Sequence, residues 1–151
     1  MDYQRYQQEK MIIDHYMPSP NSYAFGNLNS GTPYLRIAAR TNNDKQYVLR
    51  IEMPNYPNQK PNAYVECTLH DRYGNILAEN SLPNHTLAYH PEYGWTQICH
   101  YHPSAWRANM TLWMVYVRCV MWLNIYEQTL RTGEKMDTYL RHMGKDGSTT
   151  R

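Results

Sequence analysis

The feature that most constrains the fold is a long apolar segment that begins near residue 109. Asn109 is of a type that caps helix N-termini, and apolar residues then occupy almost every side of the helix that follows. A helix that is apolar almost all round has to be buried on most of its surface. We therefore expect a central packing helix that ends at Arg131-Thr-Gly133. Its apolar residues are Leu112, Trp113, Val117, Val120, Met121, Trp122, Leu123 and Ile125.

A shorter helix is predicted at the N-terminus, over residues 3–16. Ile12 and Ile13 belong to its apolar face, and Gln, Glu and Lys residues fill the other positions. Pro18 ends this helix, because proline cannot continue a helical hydrogen-bond pattern. Residues 21–33 are rich in Asn, Gly and Ser, and we interpret them as a loop.

Three segments alternate between apolar and polar residues and predict an antiparallel meander. They cover residues 35–39, 47–53 and 64–69, and the Asn-Asn-Asp turn at 42–44 joins the first two into a hairpin. Residues 54–61 contain three prolines, which excludes a regular helix or a central strand there. With the helices, these segments predict an α+β domain with one antiparallel sheet.

The other segments fit a one-domain organisation. Residues 76–98 are irregular in pattern, with a short strand near 76–78, and residues 134–143 are long enough for one short helix. A chain of 151 residues has the usual length of a single domain. We predict the domain at residues 1–145 and a polar C-terminal tail at 146–151.

Composition excludes several classes of protein. A hydrophobic fraction of 42% with 19% charged residues argues against global disorder. A net charge of +2 without a Lys/Arg run argues against nucleic-acid binding. The best apolar run, from Leu112 to Val117, stops at Arg118 and is too short to span a membrane. An odd number of cysteines, with no signal-peptide pattern, predicts a reducing, cytoplasmic setting.

The three cysteines are expected to have different roles. Cys67 lies on the apolar face of the third predicted strand and Cys119 lies within the apolar helix, so both are predicted to be core residues. Cys99 lies instead among turn-forming residues just before that helix, with His90, His100 and His102 near it in sequence. Partial exposure beside cationic or dipolar groups makes a thiol nucleophilic. Cys99 is therefore the candidate reactive residue, and a third buried cysteine is the alternative.

Other chemistries have less support in the sequence. Neither the GxxxxGK[ST] nor the GxGxxG motif occurs, so no nucleotide site and no cofactor are predicted. A Cys-His hydrolase is one alternative, although no family signature surrounds the cysteine. A zinc site is another, but no CxxC or HExxH spacing supports it and no metal is predicted. Its candidate ligands are His85, His90, Cys99, His100 and His102.

The order of several short motifs resembles that of ubiquitin-conjugating enzymes. The proline-rich segment at 54–61 is similar to the loop that this family places after its first strands. His90-Pro91 matches the start of the family's His-Pro-Asn element, Ile98-Cys99 its active site, and Trp106 the tryptophan before its central helix. The resemblance covers about residues 5–130. It implies the ubiquitin-conjugating (UBC) fold, with a long active-site loop and shortened C-terminal helices.

The resemblance implies a chemistry for Cys99. In the family, the active-site cysteine carries the C-terminal acyl group of a ubiquitin-like modifier as a thioester and passes it to an amine or another thiol. His90 is the first choice for organising the site, because it matches the motif's histidine. Glu92 stands where the motif has asparagine, so another polar group has to stabilise the oxyanion. The nearby candidates are Asn84, His85, His90, His100 and His102.

The resemblance also implies protein partners. The chain resembles compact bacterial conjugating-enzyme-like proteins of anti-phage operons, which act beside an activating enzyme, a deubiquitinase-like peptidase or a nucleotidyltransferase related to cGAS. We expect a ubiquitin-like modifier or acyl-donor protein, an activating enzyme and an acceptor such as that nucleotidyltransferase, and no nucleic acid or membrane. A non-catalytic binding module of the same fold is the main alternative. The family's partner-binding surface corresponds to Tyr3, Arg5, Tyr6, Lys10, Asn55, Tyr56, Asn58 and Gln59.

Overall fold

One six-stranded antiparallel sheet and three α-helices form the part of the chain that the computed structural model describes, residues 1–143, with side chains to residue 140. The helices are α1 (Tyr3–Tyr16), α2 (Leu112–Thr132) and α3 (Met136–Met143). The strands are β1 (Tyr23–Gly26), β2 (Tyr34–Arg40), β3 (Gln46–Glu52), β4 (Asn62–Val65), β5 (Thr86–Leu87) and β6 (Gln97–Ile98). Their order in the sheet is β1-β2-β3-β4-β6-β5. The predicted α+β class and single antiparallel sheet are confirmed.

The helices predicted near the two ends of the chain are present. α1 has the predicted bounds, and it begins where the side chain of Asp2 accepts a hydrogen bond from the N–H of Arg5 at 2.7 Å. The short helix predicted over residues 134–143 corresponds to α3. The predicted domain end at 145 and the predicted tail over 146–151 lie outside the described residues.

The predicted hairpin forms the centre of the sheet. β2 and β3 pair along their full length, with Ile37 opposite Leu49 and Ala39 opposite Tyr47. These four side chains point to the same side and are all buried, as their alternation with polar residues predicts. The connecting turn has Asp44 at a φ of 63°, a left-handed conformation that aspartate tolerates. Sequence pattern and turn chemistry therefore agree on the register.

Residues 21–33 are not entirely the loop that their composition predicts. Part of this segment forms β1, which pairs with β2 at the edge of the sheet. Gly26 ends this strand for a packing reason, because a Cβ atom there would lie 2.2 Å from the ring of Tyr34. A glycine that suggested a loop is thus required by a close approach within the sheet.

The third predicted strand is shorter than its alternation suggests. β4 ends at Val65, where the chain turns so that the N–H of Cys67 donates to the Val65 carbonyl at 2.7 Å. Cys67 is consequently exposed, and the prediction that it is a core residue is wrong. Leu69 returns to the core, with its N–H donating to Thr96 Oγ1 at 3.0 Å. The alternation of apolar and polar residues predicts which side chains share a face of a strand, but it does not show where the backbone changes direction. It therefore cannot locate this turn.

The stretch at 76–98 supplies the last two strands of the sheet. β5 and β6 pair with each other, and β6 joins β4, with Ile98 opposite Ala63. The short strand predicted near 76–78 is only an isolated bridge between His70 and Ile76. Two-residue strands carry too little periodicity to be recognised in a sequence. Their position matters, because Cys99 directly follows β6.

α2 is the central helix, but it begins later and is less buried than predicted. Its N-cap is Thr111, whose Oγ1 accepts the N–H of Met114, and not Asn109. Gly133 ends the helix at a φ of 78°, as the Arg-Thr-Gly stop predicts. Met114 and Val117 are 41% and 48% exposed, so one side faces solvent. The buried side carries Leu112, Val115, Cys119, Trp122, Leu123, Tyr126 and Glu127.

Two tyrosine hydroxyls fix α2 against the hairpin. Tyr116 donates to the carbonyl of Ala38 in β2 at 2.9 Å. Tyr47 in β3 donates to Glu127 Oε2 at 2.6 Å, and burial with this carboxylate beside it raises the pKa of Tyr47. The two contacts lie three turns apart on the helix, so they define both its position and its direction across the sheet.

A buried carboxylate joins α1, the proline-rich loop and the start of α2. Glu9 is 1% exposed, and its Oε1 accepts the N–H of Leu112 at 3.0 Å. Its Oε2 accepts from Arg5 Nε at 2.8 Å and from the hydroxyl of Tyr56. Arg5 also donates to the carbonyl of Met110. The charge is therefore both paired and hydrogen-bonded, which a buried carboxylate needs.

We expect Glu9→Ala to destabilise the protein by about 3–5 kcal/mol, the usual cost of breaking a buried ion pair. Arg5 would lose its counter-ion, and the N–H of Leu112 would be left without a partner. Asp14→Ala is the control on the same helix. It removes a half-exposed pair with Lys10 and a surface hydrogen bond from the hydroxyl of Tyr23, and should cost no more than about 1–2 kcal/mol. Denaturant unfolding measures both, and equal losses would contradict the anchoring role of Glu9.

Candidate active site

Cys99 lies at the point where β6 ends and the chain turns toward α2. Its N–H donates to the carbonyl of His85 at 3.0 Å, which continues the pairing of β6 with β5. Cys99 and His85 are therefore neighbours at the end of this pair of strands. The side chain of Cys99 is half-buried. The predicted partial exposure of this thiol is present.

A small cavity of about 30 Å³ adjoins Cys99. The β5–β6 hairpin forms one side of it, α2 forms another, and α3 contributes one apolar residue. The cavity is large enough for a water molecule or for a few atoms of a ligand. Its lining consists of His85, Cys99, His100, Arg118, Met121, Trp122 and Leu140.

His85 is held by both its backbone and its ring. Its φ of 53° places it in the left-handed region, and its carbonyl accepts from Trp122 Nε1 at 3.0 Å as well as from Cys99. Its Nε2 lies 2.8 Å from Asp137 Oδ1. The N–H of Asp137 donates to the carbonyl of Pro83 at 2.8 Å, which ties α3 to the turn before β5. A histidine oriented by a carboxylate thus faces the same cavity as the thiol.

His100 is a buried neutral acceptor. Its Nε2 donates to the carbonyl of Pro61 at 2.8 Å, so its Nδ1 carries a lone pair. Burial, together with the positive charge of Lys60, lowers the pKa of His100 to about 3. Its Nδ1 has no hydrogen-bond partner among the described residues. His100 therefore carries no charge at neutral pH and cannot donate from Nδ1 to an oxyanion.

Two cations lie close to Cys99. The guanidinium of Arg118 lies over the ring of Tyr101, 4.1 Å from its centroid, and Lys60 Nζ donates to the carbonyl of Tyr101 at 3.1 Å. Burial lowers the pKa of both cations, and a negative charge on Cys99 acts on each in the opposite direction. Both cations are thus within electrostatic range of Cys99.

His90 lies in a separate cluster and does not line the cavity. Its Nε2 donates to Glu52 Oε2 at 3.0 Å, and its Nδ1 accepts the N–H groups of Glu92 and Tyr93 at 3.1 and 3.2 Å. The ring packs against Tyr64, Tyr93 and Trp95. With both nitrogens in use, His90 shapes the turn before β6, and the structure does not bring it to Cys99.

His102 and Asn84 do not line the cavity either. His102 is exposed, and its Nδ1 bonds to Ser104 Oγ at 2.7 Å, so it caps a short 3-10 helix at Pro103–Ala105. Asn84 lies beside a shallow depression between α2 and the turn at Asp71. Of the residues named from the sequence, the structure therefore groups Cys99, His85 and His100.

The residues that sequence reasoning missed are Lys60, Arg118 and Asp137. Arg118 carried a signal, because it is the one charge inside an otherwise apolar stretch of α2. Lys60 directly precedes Pro61, but nothing local relates it to Cys99. Asp137 reaches His85 only through the placement of α3, which no local pattern indicates.

The other two thiols differ sharply from each other. Cys119 is completely buried, and this burial raises its pKa to about 12. Its predicted structural role agrees with this position. Cys67 is exposed and lies near Lys45, away from the cavity. It is a convenient internal reference for the chemistry of Cys99.

The residues predicted to bind partners divide into two groups. Arg5 is bound to Glu9 and to backbone carbonyls, and Tyr56 is 3% exposed, so neither forms a free surface; Tyr56→Ala would damage the fold. Tyr6 packs edge-on against Phe25, and Lys10 pairs with Asp14. The exposed members are Tyr3, Asn55, Asn58 and Gln59.

Comparison with known proteins does not assign the chain to a family. No protein-family model matches it, and no curated protein or solved structure is significantly similar. Within residues 1–143, no helix is long and apolar enough to cross a membrane. The same residues contain no group of three or more His, Cys, Asp or Glu placed to hold a metal ion. Function is therefore argued from the geometry at Cys99.

His100 should make stability pH-dependent. Its folded pKa of about 3 lies below the ordinary 6.5, so the unfolded chain alone takes up this proton between those values. Stability is thus fully present above pH 6.5 and is lost as pH falls toward 3, by about 2 kcal/mol at pH 5. His100→Gln keeps a donor for Pro61 but cannot titrate. Urea unfolding at pH 7 and 5 should show a smaller loss in the variant; identical losses would refute this assignment.

Proposed function

We propose that the protein is a ubiquitin-conjugating-type acyltransferase, which carries a ubiquitin-like modifier or another partner's C-terminus as a thioester on Cys99. The observation that carries this proposal is the half-buried Cys99 beside a cavity with a histidine–carboxylate pair and an arginine. A nucleophilic thiol needs access, a base and nearby positive charge; Cys99 is half-buried, and the cavity beside it is also lined by His85 and Arg118 as candidates for the other two.

The arrangement of the chain supports the same proposal. A first helix, an antiparallel meander, a proline-rich loop, the Ile98-Cys99 step and a central helix follow in the order of the family that the sequence resembles. Trp106 Nε1 donates to the carbonyl of Pro57 at 2.8 Å, and its ring packs against Tyr56. Two of the motif segments that carry the resemblance are therefore in direct contact.

The proposed first step is a thiol exchange. The sulfur of Cys99 attacks the carbonyl carbon of the modifier's thioester on an activating enzyme, and a new S–C bond forms. The bond to the activating enzyme's sulfur breaks, and that sulfur takes up the proton that Cys99 released. His85, oriented by Asp137 and opposite Cys99, is the base available to move this proton.

The proposed second step passes the acyl group on. An amine of the acceptor attacks the thioester carbon, the C–S bond breaks, and the amine's proton returns to the sulfur of Cys99. ATP is consumed only by the activating enzyme. From the resemblance to bacterial anti-phage proteins we take the acceptor to be a partner protein such as a cGAS-like nucleotidyltransferase, and the setting to be antiviral defence in the cytoplasm.

One observation favours a second function, a Cys-His hydrolase. Cys99, His85 and Asp137 have the residue types and the connectivity of a nucleophile, a base and an orienting carboxylate. A hydrolase would release its acyl group to water and would need neither ATP nor an activating enzyme. The transferase would hold the acyl group until an acceptor arrives, so the lifetime of the acyl-enzyme separates the two.

With its activating enzyme, modifier and ATP, we expect the wild-type protein to form a covalent adduct that dithiothreitol removes. Cys99→Ala should form none, and Cys67→Ser, the matched control at the exposed thiol, should form it normally. Cys99→Ser should give a thiol-resistant ester if the oxyanion site acts on the weaker nucleophile. Non-reducing gels and intact mass measure the adduct.

The outcomes separate the proposed functions. Rapid ATP-independent cleavage of a modifier thioester that depends on Cys99 would favour the hydrolase. An adduct that survives in Cys99→Ala would exclude Cys99 as the acceptor. No adduct and no cleavage, with partner binding intact, would leave a binding module of the same fold.

A further inference from the structure

Two residues of the wall of the cavity at Cys99 carry the only buried side-chain N or O atoms without a hydrogen-bond partner within the described part of the chain. They are Nδ1 of His100 and Nε of Arg118. His100 is 6% exposed, and both residues line the cavity. Buried polar atoms in native proteins nearly always have a partner, so each exception needs an explanation. Here one acceptor and one donor, on two residues of the cavity wall, are left without a partner.

The same place has an excess of positive charge. Among the cationic side chains of residues 1–140 that are not exposed, Arg5, Lys10 and Arg50 each face a carboxylate. Lys60 and Arg118 do not: Lys60 donates to the carbonyl of Tyr101, and Arg118 lies over the ring of Tyr101 and hydrogen-bonds to its side chain. Removing a cation from water without a counter-ion is costly. An anion is therefore the partner that the two residues lack.

The geometry points to an anion site in this cavity, in which Arg118 binds the negatively charged oxygen of a carboxyl-derived group beside the sulfur of Cys99, and Lys60 adds positive charge from outside the cavity lining. The neutral Nδ1 of His100 would accept an N–H from the same ligand or from a bound water. The reaction of Cys99 at such a carboxyl carbon rests on the proposed function. The anion site is argued independently of that function, from the cavity and the charges around it.

Within the proposed function, this site has a defined task. Glu92 stands where the resembled family has asparagine, and it cannot donate to an oxyanion unless protonated. A guanidinium fixed beside the reacting group stabilises charge that develops on the carbonyl oxygen during acyl transfer. Arg118 is then the group that contacts the oxyanion, and Lys60 adds a second positive charge.

Two alkylating reagents test the anion site without any partner protein. Iodoacetate carries a carboxylate and iodoacetamide does not, while both react with the thiolate. A change in thiolate fraction affects both rates equally, so the ratio of the two rates at Cys99 reports only on recognition of the carboxylate. Peptide mass spectrometry gives this ratio for Cys99 and, in the same sample, for the exposed Cys67.

We expect the iodoacetate-to-iodoacetamide rate ratio at Cys99 to exceed that at Cys67. It should fall by about threefold to tenfold in Arg118→Met, since a nearby charge that is only partly screened has an effect of this size. Lys60→Met should lower it to a lesser extent. Arg131→Met, an exposed position on the same helix, is the matched control and should leave the ratio unchanged. The ratio at Cys67 should be the same in all variants.

Each outcome has a distinct meaning. A ratio at Cys99 equal to that at Cys67, and insensitive to Arg118→Met, would overturn the anion site and leave water as the occupant of the cavity. If Arg118→Met lowers the iodoacetate-to-iodoacetamide rate ratio at Cys99 but the wild-type protein forms no thioester with its activating enzyme, the anion site is supported and the proposed transferase is rejected. A normal thioester rate in Arg118→Met would reject the oxyanion role alone. Melting temperatures of all variants identify any that unfold.

Discussion

The buried carboxylate of Glu9 is the interaction on which the packing of the two long helices depends, because it accepts the N–H of Leu112, the residue that follows the N-cap Thr111 of the central helix. The first N–H groups of a helix have no partner within the helix. Here a side chain from α1, itself compensated by Arg5 and Tyr56, satisfies one of them in the core. The contact joins α1 to the start of α2. A shift of either helix would therefore expose the carboxylate of Glu9 or leave it without a partner.

One face of α2 packs into the core, and the adjoining face lines the cavity of the candidate site. Val115, Cys119 and Trp122 pack inward, while Arg118 lies one position from Cys119 and four from Trp122. Residues four apart lie on the same side of a helix. Trp122 therefore contributes to both, since its ring is buried and its Nε1 holds the carbonyl of His85. Any rotation of α2 would move Arg118 relative to Cys99.

How far the sequence predicts this structure depends on the range of the interactions. The two long helices and the β2–β3 hairpin carry their own periodicity and were predictable. β1 and the end of β4 were not, because they depend on the Gly26–Tyr34 contact and on a turn at Val65. At the candidate site, Cys99 stands out in the sequence. Its neighbours Lys60, Arg118 and Asp137 come from distant segments that only the fold brings together.

The histidines near Cys99 show why sequence proximity misidentifies chemistry. His90 and His102 use their rings to hold neighbouring groups, and His100 donates to Pro61. Of these histidines, only His85 both lines the cavity and has its ring oriented by a carboxylate. The positive charge comes instead from Lys60 and Arg118, which lie outside this histidine-rich segment. In the proposed acyl transfer, negative charge would move from sulfur to the carbonyl oxygen. Because Arg118 lines the cavity beside Cys99 and Lys60 is within electrostatic range of the same thiol, this charge would stay near the same two cations, which is the condition for electrostatic catalysis without reorganisation.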